Sequence, residues 1–242
     1  MPYYYGYGDF LANNIYCVLL IPVLLLSLWA QFQVSGNFRR YSAQRSRRGL
    51  TGAQAAEAVL RAHGVYDVNI RPCRGSLTDH YDPRDNTIYL SQDVYAAPTI
   101  AAVGVACHEA GHAVQYAVGY GPVRLRQAII PVTQLGSKFS FILLLAGMFL
   151  YSQTLFLAGI LLFSLTTVFQ LVTLPVEFNA SHRAIETIES QYLLEDDEVY
   201  GAKKVLRAAA MTYVAALLMS ILQLLRYVLI FLSRNNRRGG RE

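Results

Sequence analysis

Three residues, Ser152-Gln153-Thr154, separate two apolar stretches at 129–151 and 155–174. About 20 apolar residues in a helix cross a bilayer core, so this pair reads as a membrane hairpin. Helices joined that tightly run antiparallel and return the chain to the side it came from. Whatever precedes 129 and whatever follows 174 therefore share one face of the membrane. Lys138 sits inside the first stretch; either its long stem lets the ammonium snorkel to the interface, or the span is short.

Two further runs have the same character. Residues 15–34, IYCVLLIPVLLLSLWAQFQV, carry no charge, and 208–232 are interrupted by Gln223 and Arg226. Pro22 is tolerated in a membrane helix. No basic residue precedes the first run and no A-x-A site follows it, which predicts a retained anchor and not a cleaved signal peptide. Tyr3, Tyr4, Tyr5, Tyr7 and Trp29 suit the membrane interfaces. The chain is 54% hydrophobic and 15% charged, with mean hydropathy +0.29, too apolar for an ordinary soluble domain.

The net charge of +5 is placed beside the apolar runs. That argues for membrane orientation and against a nucleic-acid partner. Arg39, Arg40, Arg45, Arg47 and Arg48 follow the first run, so that side is predicted to be cytoplasmic. Four crossings put Arg234, Arg237, Arg238 and Arg241 outside, against the same bias. The larger cluster beside the first span is taken to dominate. Cys17, Cys73 and Cys107 form no disulfide framework, and Cys107 reads as a small buried residue.

Between the spans, 51–63 predict an amphipathic helix with Thr51 as N-cap and Gly64 as stop. Residues 65–72 and 87–90 read as strands of a small sheet or hairpin, with turn formers at 82–86. Residues 98–118 read as a helix. Pro175 is expected to end the hairpin, and 176–190 to form a new helix. Residues 195–198 read as a solvated acidic loop, and 233–242 as a disordered tail. The predicted fold is mainly α, a multi-pass membrane protein with a small α+β zincin-like domain. Its parts are 1–36 (tail and first span), 37–127 (cytoplasmic zincin-like domain), 128–175 (hairpin), 176–207 (helical segment) and 208–242 (last span and basic tail).

The stretch GVACHEAGHAVQY at 104–116 carries the chemistry. A helix puts i and i+4 on one face, so the imidazoles of His108 and His112 can reach one ion. Glu109 lies to the side of that face, placed to take a proton from water activated by the metal. With five histidines and eight glutamates, chance yields H-E-x-x-H roughly three times in a thousand such chains. Paired histidines and a glutamate on an apolar helix are also costly without a function.

A catalytic zinc takes three protein ligands and keeps one position open. The metzincin continuation requires Gly and His three and six residues past His112; Gln115 and Val118 stand there instead. The third ligand is then a downstream glutamate, from Glu177, Glu186, Glu189, Glu195, Glu198 and Glu242. Glu177 follows Pro175 at the membrane boundary. Two crossings separate it from His112, which returns it to the same side. Ala180, Ser181 and Ala184 give its helix a face of small residues on which another helix can pack closely.

Three blocks, HEAGHAVQ at 108–115, LTDHYDPR at 77–84 and LPVEFNASHRA at 174–184, together resemble the bacterial membrane-bound neutral zinc metallopeptidase family. The resemblance covers nearly the whole chain. It implies a zinc protease embedded in the plasma membrane, similar in logic to the heat-shock membrane proteases and the prenyl-protein proteases. It implies one zinc ion held by His108, His112 and Glu177, with Glu109 as general base. In such relatives an Asp often follows the third ligand by four residues; Ser181 stands there and can hydrogen-bond a ligand more weakly. Asn179 stands where the resemblance leads one to expect Asp, which bears on tuning of the ligands. His80 and Tyr81 precede a strand that could serve as the edge where substrate adds. His80, Tyr81, His182 and Arg183 are candidate oxyanion or substrate contacts.

The expected activity is hydrolysis of peptide bonds in membrane or membrane-proximal proteins. The alternative is a non-enzymatic metal-binding scaffold or transporter, which leaves the position of Glu109 unexplained. The expected partners are a peptide or membrane-protein substrate and the lipid bilayer. Oligomeric state is not legible in the sequence.

Overall fold

The computed structural model describes residues 7–239, with side chains at Tyr16 and at 18–234. Tyr3, Tyr4, Tyr5 and Arg241 lie outside the described residues, as do the side chains of Tyr7, Arg237 and Arg238. The described chain is mainly helical. Its elements are α1 (Tyr7–Ser42), α2 (Gly52–Ala62), β1 (Asn69–Cys73), β2 (His80–Asp82), β3 (Thr87–Ser91), α3 (Gln92–Tyr95), α4 (Ile100–Ala117), α5 (Gly121–Phe149), α6 (Gln153–Ser190) and α7 (Asp196–Gly239). Four helices, α1, α5, α6 and α7, are long and apolar enough to cross a membrane.

Two compact units divide the chain, one of Met1–Leu28, Arg126–Val172 and Tyr213–Glu242, the other of Trp29–Leu125 and Thr173–Thr212. In the first, Leu144 of α5 and Phe156 and Ile160 of α6 are buried with Leu224, Tyr227 and Val228 of α7. The polar residues that interrupt the last apolar run have partners. Tyr16 Oη donates to Gln223 Oε1 at 2.7 Å, Gln223 Nε2 donates to Tyr227 Oη at 2.8 Å, and the Arg226 guanidinium lies 4.4 Å from the Tyr16 ring centre. Such pairings let polar groups persist within an apolar bundle.

In the second unit, α2 begins with Thr51 and Gln54 in a capping box and ends beyond His63 at Gly64, whose φ is +69°. Val65 N donates back to the Leu60 carbonyl at 2.9 Å, a Schellman closure that delays the first strand to Asn69. The sheet order is β1-β3-β2, with β1 parallel and β2 antiparallel to β3. Central β3 buries Ile88 and Leu90 completely. Asp79 anchors the far end of the sheet, accepting from Ser91 N at 2.7 Å and from Ser91 Oγ. These elements enclose one core with α4, in which Val59, Val103, Ala106 and Val114 join Ala184 and Ile188 of α6 and Ala202 of α7.

Three expectations are corrected. Pro175 does not end a helix: α6 runs through it. Proline removes a single N–H donor, membrane helices accommodate that loss, and Thr173, Val176 and Glu177 around it are all buried. Residues 195–198 are not a free acidic loop. Asp196, Asp197 and Glu198 form the first turn of α7, favoured there by the helix dipole. Glu198 is buried, accepting from Glu195 N at 3.0 Å and Arg47 N at 2.8 Å, while Arg47 also pairs with Asp197. The C-terminal segment expected to be disordered is helical through Gly239. The basic segment after the first span is likewise part structured. Arg39 and Arg40 lie in the last turn of α1, and Ser46 N bonds the Pro98 carbonyl just before α4.

Candidate metal centre

The geometry starts from one close approach. A Cβ added to Gly111 of α4 would lie 2.7 Å from the Ala180 carbonyl oxygen of α6, so only glycine lets these backbones meet. Ala180 and Ala184 are fully buried. The small residues of both helices thus bring Glu177 up to the ligand face of α4.

Glu177 Oε2 lies 3.4 Å from His108 Nε2 and 3.5 Å from His112 Nε2. One donor atom from each residue falls within 4.8 Å of the others. Zinc bonds of about 2.0–2.2 Å at tetrahedral angles place ligand atoms about 3.3–3.6 Å apart, so the two separations from Glu177 match such an ion, and the three side chains could hold it together.

The outer ring nitrogens are held as well. Ser181 Oγ lies 3.1 Å from His108 Nδ1, and Gln115 Oε1 lies 3.0 Å from His112 Nδ1. Gln115 is fully buried; its Nε2 donates to the Val176 carbonyl at 2.8 Å and to Asn179 Oδ1 at 3.0 Å. Those acceptors orient the amide, leaving its oxygen toward His112. His112 Nδ1 must therefore donate, and in the neutral ring Nε2 presents its lone pair toward Glu177. Arg183 Nε also donates to Asn179 Oδ1 at 2.9 Å, fixing that side chain from its other side.

Burial is the largest effect on the His112 imidazole and pulls its pKa down. The hydrogen bond and charge of Glu177, the charge of Glu109 and the Gln115 contact outweigh it, so the pKa stands above the ordinary value. The pocket favours positive charge between these side chains. Glu109 is 9% exposed on the same helix. Cys107 is buried in the core, and burial pushes its thiol pKa up, which suits a packing residue.

The remaining candidates are placed differently. His80 is exposed on β2, its ring stacked on Tyr89 at 5.1 Å and its Nδ1 2.8 Å from the Thr78 carbonyl oxygen. Alternation along β2 sends Tyr81 to the other face, where its ring meets Tyr116 of α4 at 5.4 Å. The Tyr81 hydroxyl donates to Asn86 at 2.6 Å, and burial above all pushes its pKa up to about 12. His182 is exposed on α6. Asp82 pairs with Arg84, whose hydrogen bonds hold its carboxyl low, at about 2. The structure brings together His108, His112, Glu177, Ser181 and Asn179 and leaves His80 on the outer sheet face. It adds Gln115, which sequence reading used only to reject the metzincin spacing. A lone glutamine one turn past the second histidine, on an otherwise apolar stretch, is the sequence signal that could have found it.

Fold and site together define a class: helical membrane proteins with a His-His-Glu group, two members on one helix and the third on the returning helix of a membrane hairpin. The chain belongs to the family described as "Putative neutral zinc metallopeptidase", matching it over residues 16–232. It is 48% identical over 219 residues to a protein of Bacillus subtilis (strain 168) named "Putative membrane protease YugP", covering 90% of this chain and 97% of that one. No solved structure matches the chain at a significant level.

Proposed function

We propose that the protein is a membrane-embedded, zinc-dependent endopeptidase that cleaves peptide bonds of membrane or membrane-proximal proteins. The observation that carries this reading is the approach of Glu177 Oε2 to within 3.4 Å of His108 Nε2 and 3.5 Å of His112 Nε2, one donor atom of each residue lying within 4.8 Å of the others, with Glu109 one position from the ligand face. His108, His112 and Glu177 would hold one zinc ion. Zinc, when bound, acts as a Lewis acid that makes water a nucleophile near neutral pH.

The chain's own residues do the rest. Glu109 accepts the proton of the attacking water and passes it to the leaving amine. Gln115 and Ser181 hold the imidazoles by their Nδ1 atoms, so ring rotation does not spoil the geometry. Gly111 holds α4 and α6 in register. Tyr81, packed against α4 through Tyr116, is the candidate substrate contact on the sheet, and His182 and Arg183 are candidates on α6. Residues 37–127 and 176–207 together form the catalytic part, separated in sequence by the 128–175 hairpin. The arginines from Arg39 to Arg48 orient that part toward the cytoplasm of a bacterial plasma membrane.

The test replaces Glu109 by Gln in the full-length protein, with hydrolysis of a membrane-inserted model peptide and bound zinc both measured. Zinc retained with hydrolysis abolished supports the reading. Hydrolysis by the variant at the wild-type rate overturns the role of Glu109, and no hydrolysis by wild type overturns the reading and points to the scaffold or transporter.

A further inference from the structure

A groove of about 420 Å³ lies between the C-terminal part of α6 and the N-terminal part of α7. Phe178, Ser181, His182 and Ile185 line it from α6, and Tyr200, Lys203, Lys204 and Arg207 from α7. Each set has the i, i+3, i+4, i+7 spacing of one helix face. None of the lining residues is acidic. Lys203 pairs with Glu189 outside the groove at 2.5 Å, and Lys204 sits 5.2 Å from the Tyr200 ring centre. Among the described residues, Lys204 and Arg207 make no ion pair. Like charges on one helix face repel, and an anion between them removes that cost.

The level of the groove along the helices identifies the anion. Arg207 immediately precedes the apolar run of α7 at 208–232, and Phe178 stands one turn past the end of the α6 run at 174. At about 1.5 Å per residue, the cationic face of α7 lies within about 10 Å of its apolar run, the depth of lipid headgroups. The groove is also apolar at that level, with Phe178 48% exposed and Leu206 and Ala210 in its wall.

We infer that this groove binds an anionic phospholipid of the surrounding bilayer, its phosphate against Lys204 and Arg207 and its upper acyl chain against Phe178, Leu206 and Ala210. Arginine and lysine at headgroup level attract anionic lipid electrostatically. The apolar wall distinguishes a lipid from free phosphate.

Native mass spectrometry of the full-length protein, in detergent doped with phosphatidylglycerol or with phosphatidylcholine of the same chains, tests this. Wild type is expected to retain phosphatidylglycerol about tenfold more tightly than phosphatidylcholine, and a Lys204→Ala/Arg207→Ala variant to lose that preference. Inorganic phosphate at millimolar concentration is expected not to displace the lipid. An Arg61→Ala variant, which removes an exposed charge from α2, is expected to behave as wild type. Equal retention of the two lipids by wild type overturns the inference. So does an unchanged preference in the double variant, displacement by phosphate, or a loss in Arg61→Ala as large as in the double variant. The readout is lipid retention, so it is independent of whether the protein cleaves peptides.

Discussion

Gly111 on the histidine-bearing helix and Ala180 on the glutamate-bearing helix meet backbone to backbone, so closely that a single Cβ on Gly111 would lie 2.7 Å from the Ala180 carbonyl oxygen. Gly111→Ala must push α4 and α6 apart. Overpacking of this kind costs about 1–3 kcal/mol, and the displacement carries Glu177 away from both imidazoles. The variant is expected to show a lower Tm in detergent and weaker zinc retention during dialysis. Unchanged zinc retention would show that the approach of the two helices does not set the ligand geometry.

Gln115 holds His112 from behind. Gln115→Leu removes the acceptor for Nδ1 and the donor to Val176 and Asn179. Loss of such a partner weakens metal affinity by about 10- to 100-fold, as read by competition with a chromogenic chelator. Gln115→Glu keeps an acceptor toward the ring and is expected to retain more of the affinity than Leu. Equal losses in the two variants would assign Gln115 to packing alone.

Asp79 gives a pH-dependent prediction. Burial, its largest influence, raises the carboxyl pKa, and the Ser91 hydrogen bonds only partly offset that. A raised folded pKa contributes stability that is fully present below the ordinary value of 3.8 and is lost as pH rises through the folded value. At neutral pH the charge is therefore a burden, although the oxygen is a needed acceptor. Asp79→Asn keeps the acceptor and removes the charge, so its Tm at pH 7 is expected to equal or exceed that of wild type. Asp79→Ala leaves the Ser91 N–H unmet and is expected to cost about 1–3 kcal/mol. Thermal unfolding of the three proteins between pH 4 and 8 checks this, and an Asn variant as unstable as the Ala variant contradicts it.

These outcomes bear on what the sequence alone made legible. The apolar runs announced four helices because the bilayer demands length and forbids charge. Thr51 and Gly64 announced the bounds of α2 because capping is local chemistry. The i, i+4 histidines were legible for the same reason. Glu177 was reached by the return of the hairpin, and the structure sets its carboxylate beside both rings. What stayed hidden depends on tertiary partners. Pro175 reads as a stop when the packing around Thr173 and Val176 is unseen. Glu198 reads as solvated until Arg47 is known to lie against it. His80 and Tyr81 are adjacent in sequence, but strand alternation sends them to opposite faces. Gln115 reads as one polar residue on an apolar helix until Val176 fixes which way its amide points.

The central claim is that one metal ion is held jointly by two side chains of α4 and one of α6. Metal analysis of purified full-length protein, wild type against Glu177→Ala, tests it most directly. Wild type is expected to carry about one zinc per chain, and Glu177→Ala to lose it on dialysis while its helical content is unchanged. Stoichiometric zinc persisting in Glu177→Ala would contradict the account.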